Sequence, residues 1–309
     1  MIDIAVCGSL NMDLVARVAT LPRPGETVAG RCLRRLPGGK GLNQAVAAAR
    51  MGVRVAMIGA RGDDADGAVL AALLAAEGID TSGVQVRTGG AHAASAAHTG
   101  LAQVLVADDG ENAIVVHGGA NATLTPDEAC AALAAVASAG AASAAKVAVA
   151  QLETPPATVA AFFEAARARG MRTLLNTAPA LAGTQHLLAL ADVVVLNGTE
   201  LAHYAGAVTE DPAAAARGLI SRPQQTIIVT LGAQGAVVIT ADAVMRHAAP
   251  TVAVVDTTGA GDCFCGVLAA SLARGLDVDA AVPRAVAAAS LAVTRVGAAP
   301  SMPRAAELT

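Results

Sequence analysis

Apolar and polar positions along this chain follow two rhythms. Short runs of β-branched and other apolar residues predict strands at 2–8, 54–59, 147–151, 172–176, 193–196, 226–230 and 236–239. Between them, apolar positions return every three or four residues and predict helices at 42–51, 67–77, 156–170, 199–205 and 262–274. Gly52, Gly78, Gly170 and Gly275 stand where a helix end turns back on itself. This alternation predicts an α/β fold with a doubly wound, mostly parallel central sheet and helices on both faces. In such sheets ligands bind beyond the carboxyl ends of the strands.

Two segments, 11–36 and 100–117, break the rhythm and look extended, with Pro22, Pro24 and Gly25 marking turns. They read equally well as surface hairpins or as a small projecting β-sheet, a candidate lid. No repeat and no linker interrupts the 309 residues, so the chain reads as one domain, 1–309, with these two segments inserted in it. The apolar run 251–255 reads as one further buried strand.

Directly after that run comes Asp256-Thr257-Thr258-Gly259-Ala260-Gly261-Asp262, followed by Phe264, Val267, Leu268 and Leu272 at helical spacing. A glycine-rich turn into a helix points bare N–H groups and the positive end of the helix dipole at one spot, which suits a phosphate. Asp262 falls in the first helical turn beside that spot. A carboxylate there is unfavourable unless it has a task, such as taking the proton of an attacking hydroxyl. Taken alone, the run is also compatible with an ordinary helix cap. A second cluster, Gly38-Gly39-Lys40-Gly41-Leu42-Asn43, opens another helix without the spacing of a P-loop. Lys40 and Asn43 there could donate to sugar hydroxyls, or Lys40 could simply be solvated. Asn11 and Asp13 follow the first strand, Glu153 follows the strand at 147–151, and Asn197 and Glu200 follow the strand at 193–196. Each is individually an ordinary loop or cap residue. Together they place polar side chains beyond several strands of one sheet.

Composition narrows the partners. The chain is 54% hydrophobic, much of it alanine, with three Phe, one Tyr and no Trp. A net charge of −4 without a long basic run argues against nucleic acid. The N-terminus lacks the basic start and apolar stretch of a signal peptide, and 129–145 is too short and too weakly apolar to span a bilayer. A soluble cytoplasmic protein with no membrane partner is expected. Cys7, Cys32, Cys130, Cys263 and Cys265 lack metal or redox spacing and read as free, mostly buried thiols. The six His show no paired ligand spacing.

The two glycine signatures, with Gly8 to Asp13, Pro24-Gly25-Glu26-Thr27, Gln151-Leu152-Glu153, Thr230-Leu231-Gly232 and the stretch 292–301, resemble the ribokinase-like carbohydrate kinase family in order across nearly the whole chain. The resemblance implies ATP-dependent phosphorylation of a free sugar, with D-ribose and its O5 favoured. It implies Asp262 as general base, and backbone N–H groups of Gly259, Ala260 and Gly261 as an anion hole. Asn11, Asp13, Gly39, Lys40, Asn43 and Glu153 match sugar positions. Asn197, Thr230, Gly232 and Gly235, with Gly261, match nucleotide positions. Asn197 and Glu200 would organise Mg²⁺ through water. Asp256, Thr258, Ala292, Arg295, Gly297 and Ser301 match a loop for an activating K⁺, and a homodimer through the lid is implied. The sequence departs from the family at Leu196, where Pro is usual before Asn-x-x-Glu. It departs again at Val286, where Asn or His often lies beside adenine, and through an insertion at 90–98. Other sugars or nucleosides, a non-catalytic sugar-binding regulator, and a nicotinamide-dependent dehydrogenase are the competing readings. Neither glycine cluster fits Gly-x-Gly-x-x-Gly.

Overall fold

The structure is a computed structural model that describes residues 2–89, 97–109, 111–138, 145–208 and 211–308. Most of the 90–98 insertion lies outside the described residues. In chain order the elements are β1 (Ile4–Cys7), β2 (Asn11–Val18), β3 (Gly30–Gly38), α1 (Lys40–Arg50), β4 (Val55–Gly62), α2 (Ala65–Ala76), β5 (Asp80–Arg87), β6 (Gly100–Val106) and β7 (Asn112–His117). They continue with α3 (Pro126–Ser138), β8 (Val147–Ala150), α4 (Pro156–Arg167), β9 (Arg172–Asn176), α5 (Gln185–Leu188), β10 (Val193–Asn197), α6 (Gly198–Ala205) and α7 (Pro212–Arg217). The last are β11 (Thr226–Thr230), β12 (Ala236–Ile239), β13 (Val244–His247), α8 (Ala260–Ala273) and α9 (Val278–Ala292).

Among the described residues, nine strands form one sheet in the order β13-β12-β11-β10-β9-β8-β1-β4-β5. The sheet is parallel except for the β11-β12-β13 meander at one edge. Helices cover both faces because its strands are apolar on both. In β1, Ile4 and Val6 join one core with α1, α8 and α9, while Ala5 and Cys7 join the other with α3, α4 and α6. Alanine lets these helices lie close. Gly266 of α8 sits so near α1 that a Cβ there would lie 2.5 Å from the Gln44 carbonyl and 2.6 Å from Ala47 Cβ.

The two irregular segments form a separate four-stranded sheet, β3-β2-β6-β7, with β2 and β6 parallel and the outer pairs antiparallel. The four glycines expected at helix ends all have positive φ. The expected strand at 251–255 does not form. The chain leaves the sheet at β13, and Val254 and Val255 are 62% and 52% exposed. The amides of Val255 and Asp256 donate instead to the Val293 carbonyl at the end of α9, at 2.8 and 3.1 Å. Their backbone demand is therefore met outside any ladder. Helix α9 was not legible from the pattern, since Pro283 lies inside it and alanine blurs its period. Of the five cysteines, Cys7, Cys263 and Cys265 are buried, Cys130 is half-buried and Cys32 is exposed. Among the described residues, no helix is long and apolar enough to cross a membrane.

Candidate active site

The first turn of α8 begins at Gly259, whose φ of 76° belongs to the left-handed region that favours glycine. A side chain there would also strike Ala298, with a Cβ 2.9 Å from its Cα. Gly259, Ala260, Gly261 and Asp262 line a cleft of about 210 Å³ together with Lys40, Asn176, Asn197, Glu200 and Thr230. That volume suits phosphate groups and a reacting hydroxyl better than a whole nucleotide. The Ala260 N–H donates to the Thr257 carbonyl at 3.2 Å. An anion in the cleft would have to share or displace that bond, while Gly261 presents the orphan donor of an ordinary helix start.

Asp262 is buried and held by α1. Asn43 Nδ2 donates to its Oδ2 at 2.9 Å, and Gln44 Nε2 donates to its Oδ1 at 3.0 Å. The close approach at Gly266 brings these amides within reach. Burial raises the Asp262 pKa, and Lys40, Gln44 and Asn43 counter it by favouring the charged form. Asn43 Oδ1 is buried with no partner. An orphan acceptor beside a carboxylate marks a place for a donor such as a ligand hydroxyl.

Other predicted polar residues gather around the start of α1. Gly39 caps α1 with φ 90°, and a Cβ there would lie 2.7 Å from the Asn11 amide nitrogen. Glu153 Oε2 accepts from the Lys40 amide at 3.2 Å, from Ser9 Oγ, and from Asn11 Nδ2 at 3.5 Å. Asn121, which sequence reasoning missed, fixes Asn11 by donating to its Oδ1 at 2.7 Å. Burial, with Glu153 and Asp262 nearby, pushes the Asp13 carboxyl up to about 7, against the pull of Lys40. Burial lowers the Lys40 pKa, yet the charges of Asp262, Glu153 and Glu200 outweigh it and the net shift is upward. Lys40 is thus the shared counter-ion of a carboxylate-rich site.

Elsewhere along the cleft, Asn197 and Glu200 form a capping box on α6. Asn197 Oδ1 accepts from the Glu200 amide at 2.9 Å, and Glu200 Oε2 accepts from the Asn197 amide at 3.0 Å. The sequence left cap and ligand site open as alternatives, and the structure shows a cap that also lines the cleft. This cap holds the turn at Leu196-Asn197-Gly198 and contributes about 1 kcal/mol. Thr177 Oγ1 donates to Glu200 Oε2 at 3.1 Å, so both carboxylate oxygens already carry bonds and a cation would be reached best through water. Thr230 ends β11 beside Asn197. Gly232 and Gly235 form the turn into β12 and do not line the cleft. Val286 is buried in the core of α9.

Of the six residues matched to a cation loop, Asp256, Thr258 and Gly297 are tied in one knot. Asp256 Oδ1 accepts from the Thr258 amide and Oδ2 from the Gly297 amide, both at 2.9 Å. These bonds overcome burial and lower the Asp256 pKa. The carboxylate therefore ties the glycine turn to the turn at 297–301. Ser301 Oγ donates to the Ala298 carbonyl at 2.8 Å, Ala292 closes α9 by accepting from the Arg295 amide at 3.0 Å, and Arg295 pairs outward with Glu307. The set is oxygen-rich and backbone-dominated, which fits a hard monovalent cation.

This fold and this cleft are those of a sugar-phosphorylating enzyme. The chain belongs to the family described as pfkB family carbohydrate kinase, whose sequence profile matches residues 1–305. A ribokinase of Haemophilus influenzae is 34% identical over 303 residues, covering 97% of this chain and 95% of that protein. A deoxyribokinase of Salmonella typhi is 35% identical over 305 residues, again covering 97% of this chain and 95% of its own. The structure of an Arabidopsis thaliana ribokinase complexed with ribose and ATP superposes with a TM-score of 0.84 at 28% identity, covering 100% of this chain and 98% of that one. The chain is thus a carbohydrate kinase, with a large, mostly parallel sheet and a small separate sheet as expected.

Proposed function

We propose that this chain transfers the γ-phosphoryl group of ATP to O5 of D-ribose, with Asp262 as the base. The observation that carries the reading is the buried Asp262 carboxylate at the start of α8, held by Asn43 and Gln44 in one cleft with Lys40 and Gly261. Asp262 takes the proton of the sugar alcohol as that oxygen bonds to the γ-phosphorus, and the bond to the bridging oxygen of ADP breaks. The first turn of α8, with Gly259, Ala260 and Gly261, faces the moving phosphoryl group, and Lys40 offsets its charge. Asn11, Asp13, Gly39, Asn43 and Glu153 hold the sugar hydroxyls. Asn197, Thr230, Gly232 and Gly235 serve the nucleotide side. When bound, Mg²⁺ supplies neutralisation of the phosphate charge, and Glu200 with Asn197 would meet it through water. K⁺ fits the knot of Asp256 with the carbonyls of Thr258, Ala292, Arg295, Gly297 and Ser301, where it would stiffen the glycine turn. The four-stranded sheet acts as lid. Its exposed Leu33, Ile114, Val115 and Val116 offer the apolar surface that a second copy would cover in a homodimer.

The test is a panel of free sugars and nucleosides with Mg·ATP, assayed in K⁺ and in Na⁺ buffer. Ribose should give the highest kcat/KM, its product should carry phosphate at O5, and the K⁺ rate should exceed the Na⁺ rate. Deoxyribose as the better substrate would move the assignment to the deoxyribokinase relatives, which are as similar as the ribokinases. Ribose binding without any turnover would replace the kinase reading by that of a sugar-binding regulator.

The raised Asp13 pKa sets a pH dependence. Ionised Asp13 offers acceptors to sugar hydroxyls, and protonation removes negative charge and one acceptor. The ribose KM should therefore rise as pH falls from 8 to 6, with its midpoint near the Asp13 value of about 7. Initial rates at saturating Mg·ATP check this, and Asp13→Asn should show a high KM without the pH dependence. A wild-type KM that stays flat over this range would remove Asp13 from the sugar site.

A further inference from the structure

Gln44 is fully buried in α1, and its side chain makes three hydrogen bonds. Its Nε2 donates to Asp262 Oδ1 at 3.0 Å and to Asn176 Oδ1 at 3.1 Å, and its Oε1 accepts from Gln151 Nε2 at 2.7 Å. An ionised carboxylate can only accept, so the nitrogen of Gln44 must face Asp262. That choice forces Gln44 Oε1 to accept and fixes Gln151 as its donor. Asn176 in turn presents its oxygen to Gln44 while its Nδ2 donates to the Val195 carbonyl at 3.4 Å. A polar chain thus runs from the backbone of β10, through Asn176 and Gln44, to Asp262, with a side support from the end of β8. At the outer end of that support, Gln151 Oε1 is buried with no partner.

We propose that Gln44 is a positioning residue of the phosphoryl-transfer site: it anchors the Asp262 carboxylate to the central sheet through Asn176 and Gln151, fixing its orientation toward the substrate hydroxyl. This rests on the reading of Asp262 as the base. Gln44 does not line the cleft, so its influence reaches the substrate through the groups it bonds, Asp262 and the cleft-lining Asn176. The sequence could have hinted at it, because Gln44 follows Asn43 directly in the glycine signature. However, a glutamine on a helix carries no sign of which way it faces.

The anchor has a signature that packing alone lacks. Gln44 is one of the groups that hold the Asp262 pKa down against burial. The titratable groups facing Asp262 are Lys40 from α1, Glu153 beyond β8, Asp13 from β2, and Cys263 and Cys265 from its own helix. Gln44→Met keeps the volume and removes the donor. In the full-length enzyme it should lower kcat by about tenfold to a hundredfold with the sugar KM changed less than about threefold, and at saturating ribose, where Asp13 no longer governs binding, it should move the acid limb of kcat upward by about one to two pH units. Gln151→Met, which loosens Gln44 without touching Asp262, should move the limb the same way by less. It carries the test if Gln44→Met fails to fold.

An acid limb of kcat that coincides with that of the parent in the folded variant overturns the proposal, whatever the size of kcat. If Asp262→Asn is inactive while Gln44→Met keeps the parental profile, only the anchor is lost. If Asp262→Asn keeps its rate, the base assignment and the anchor fall together.

Discussion

Replacing Asp262 by Asn should lower kcat by about 10²–10⁴, the range for loss of a general base, while ribose still binds with a KM within a few-fold of the parent. The substitution keeps the shape of the side chain and removes its charge and its basicity. The structure also says why the variant should fold. Asp262 accepts from two amides, Asn43 at 2.9 Å and Gln44 at 3.0 Å, and an asparagine can accept from only one with the same oxygen while presenting an NH₂ to the other. Asn43 has a buried Oδ1 without a partner. Rotating that amide turns its oxygen toward the new NH₂, so the second contact is repaired at little cost. The loss should then appear in the chemical step and not in stability, which thermal unfolding of both proteins would verify. A kcat within tenfold of the parent would remove Asp262 from the mechanism.

Arg50→Ala should cost about 3–5 kcal/mol of stability, the range for removing one partner of a buried ion pair. Arg50 Nε and NH2 donate to Glu77 Oε1 at 3.0 and 2.5 Å, and the two side chains are 12% and 8% exposed. Its NH1 donates to the carbonyls of Ala299, Pro300 and Met302 at 3.1, 3.3 and 2.6 Å. One guanidinium thus pins the end of α1 to α2 and to the turn against which Gly259 packs. Alanine leaves the Glu77 carboxylate buried, with Arg304 at 3.6 Å as its one remaining ion-pair partner among the described residues. Three carbonyls lose their donor at the same time. Urea unfolding should show a lower midpoint with little change in slope. Arg50→Lys should recover only part of the loss, because a single ammonium cannot fill a fork that serves a carboxylate and three carbonyls. A loss below about 1 kcal/mol for Arg50→Ala would show that Glu77 finds adequate compensation elsewhere.

Both predictions concern contacts between residues far apart in the chain, and that separation marks what the sequence leaves open. The placement of Glu153 and Asn197 beyond strand ends could be read from strand runs followed by polar residues. The two glycine turns could be read because glycine and helical periodicity are local signals. The segment 251–255 misled, because an apolar β-branched run carries the same local signal whether or not a neighbouring strand is there to receive it. The Asn197–Glu200 pair was readable as a cap or as a ligand site, and only the position of the cleft showed that it is at once a cap and a wall.

By itself the sequence determined the class of fold and the order of its parts: short-range periodicity dictates strands and helices, and their alternation admits few topologies. It also determined which residues could carry the chemistry, since a carboxylate behind a glycine-rich helix start is a local arrangement. Only the tertiary structure decided how those residues are held. Asn43 and Gln44 meet Asp262 because Gly266 lets two helices, more than 200 positions apart, nearly touch. Arg50 faces three carbonyls because α1 ends beside the turn at 299–302. Such meetings depend on helix register, on close packing across the sheet, and on burial that no single segment contains. The same burial sets the charge state of Asp13 and Asp262, so their reactivity is a property of the assembled core.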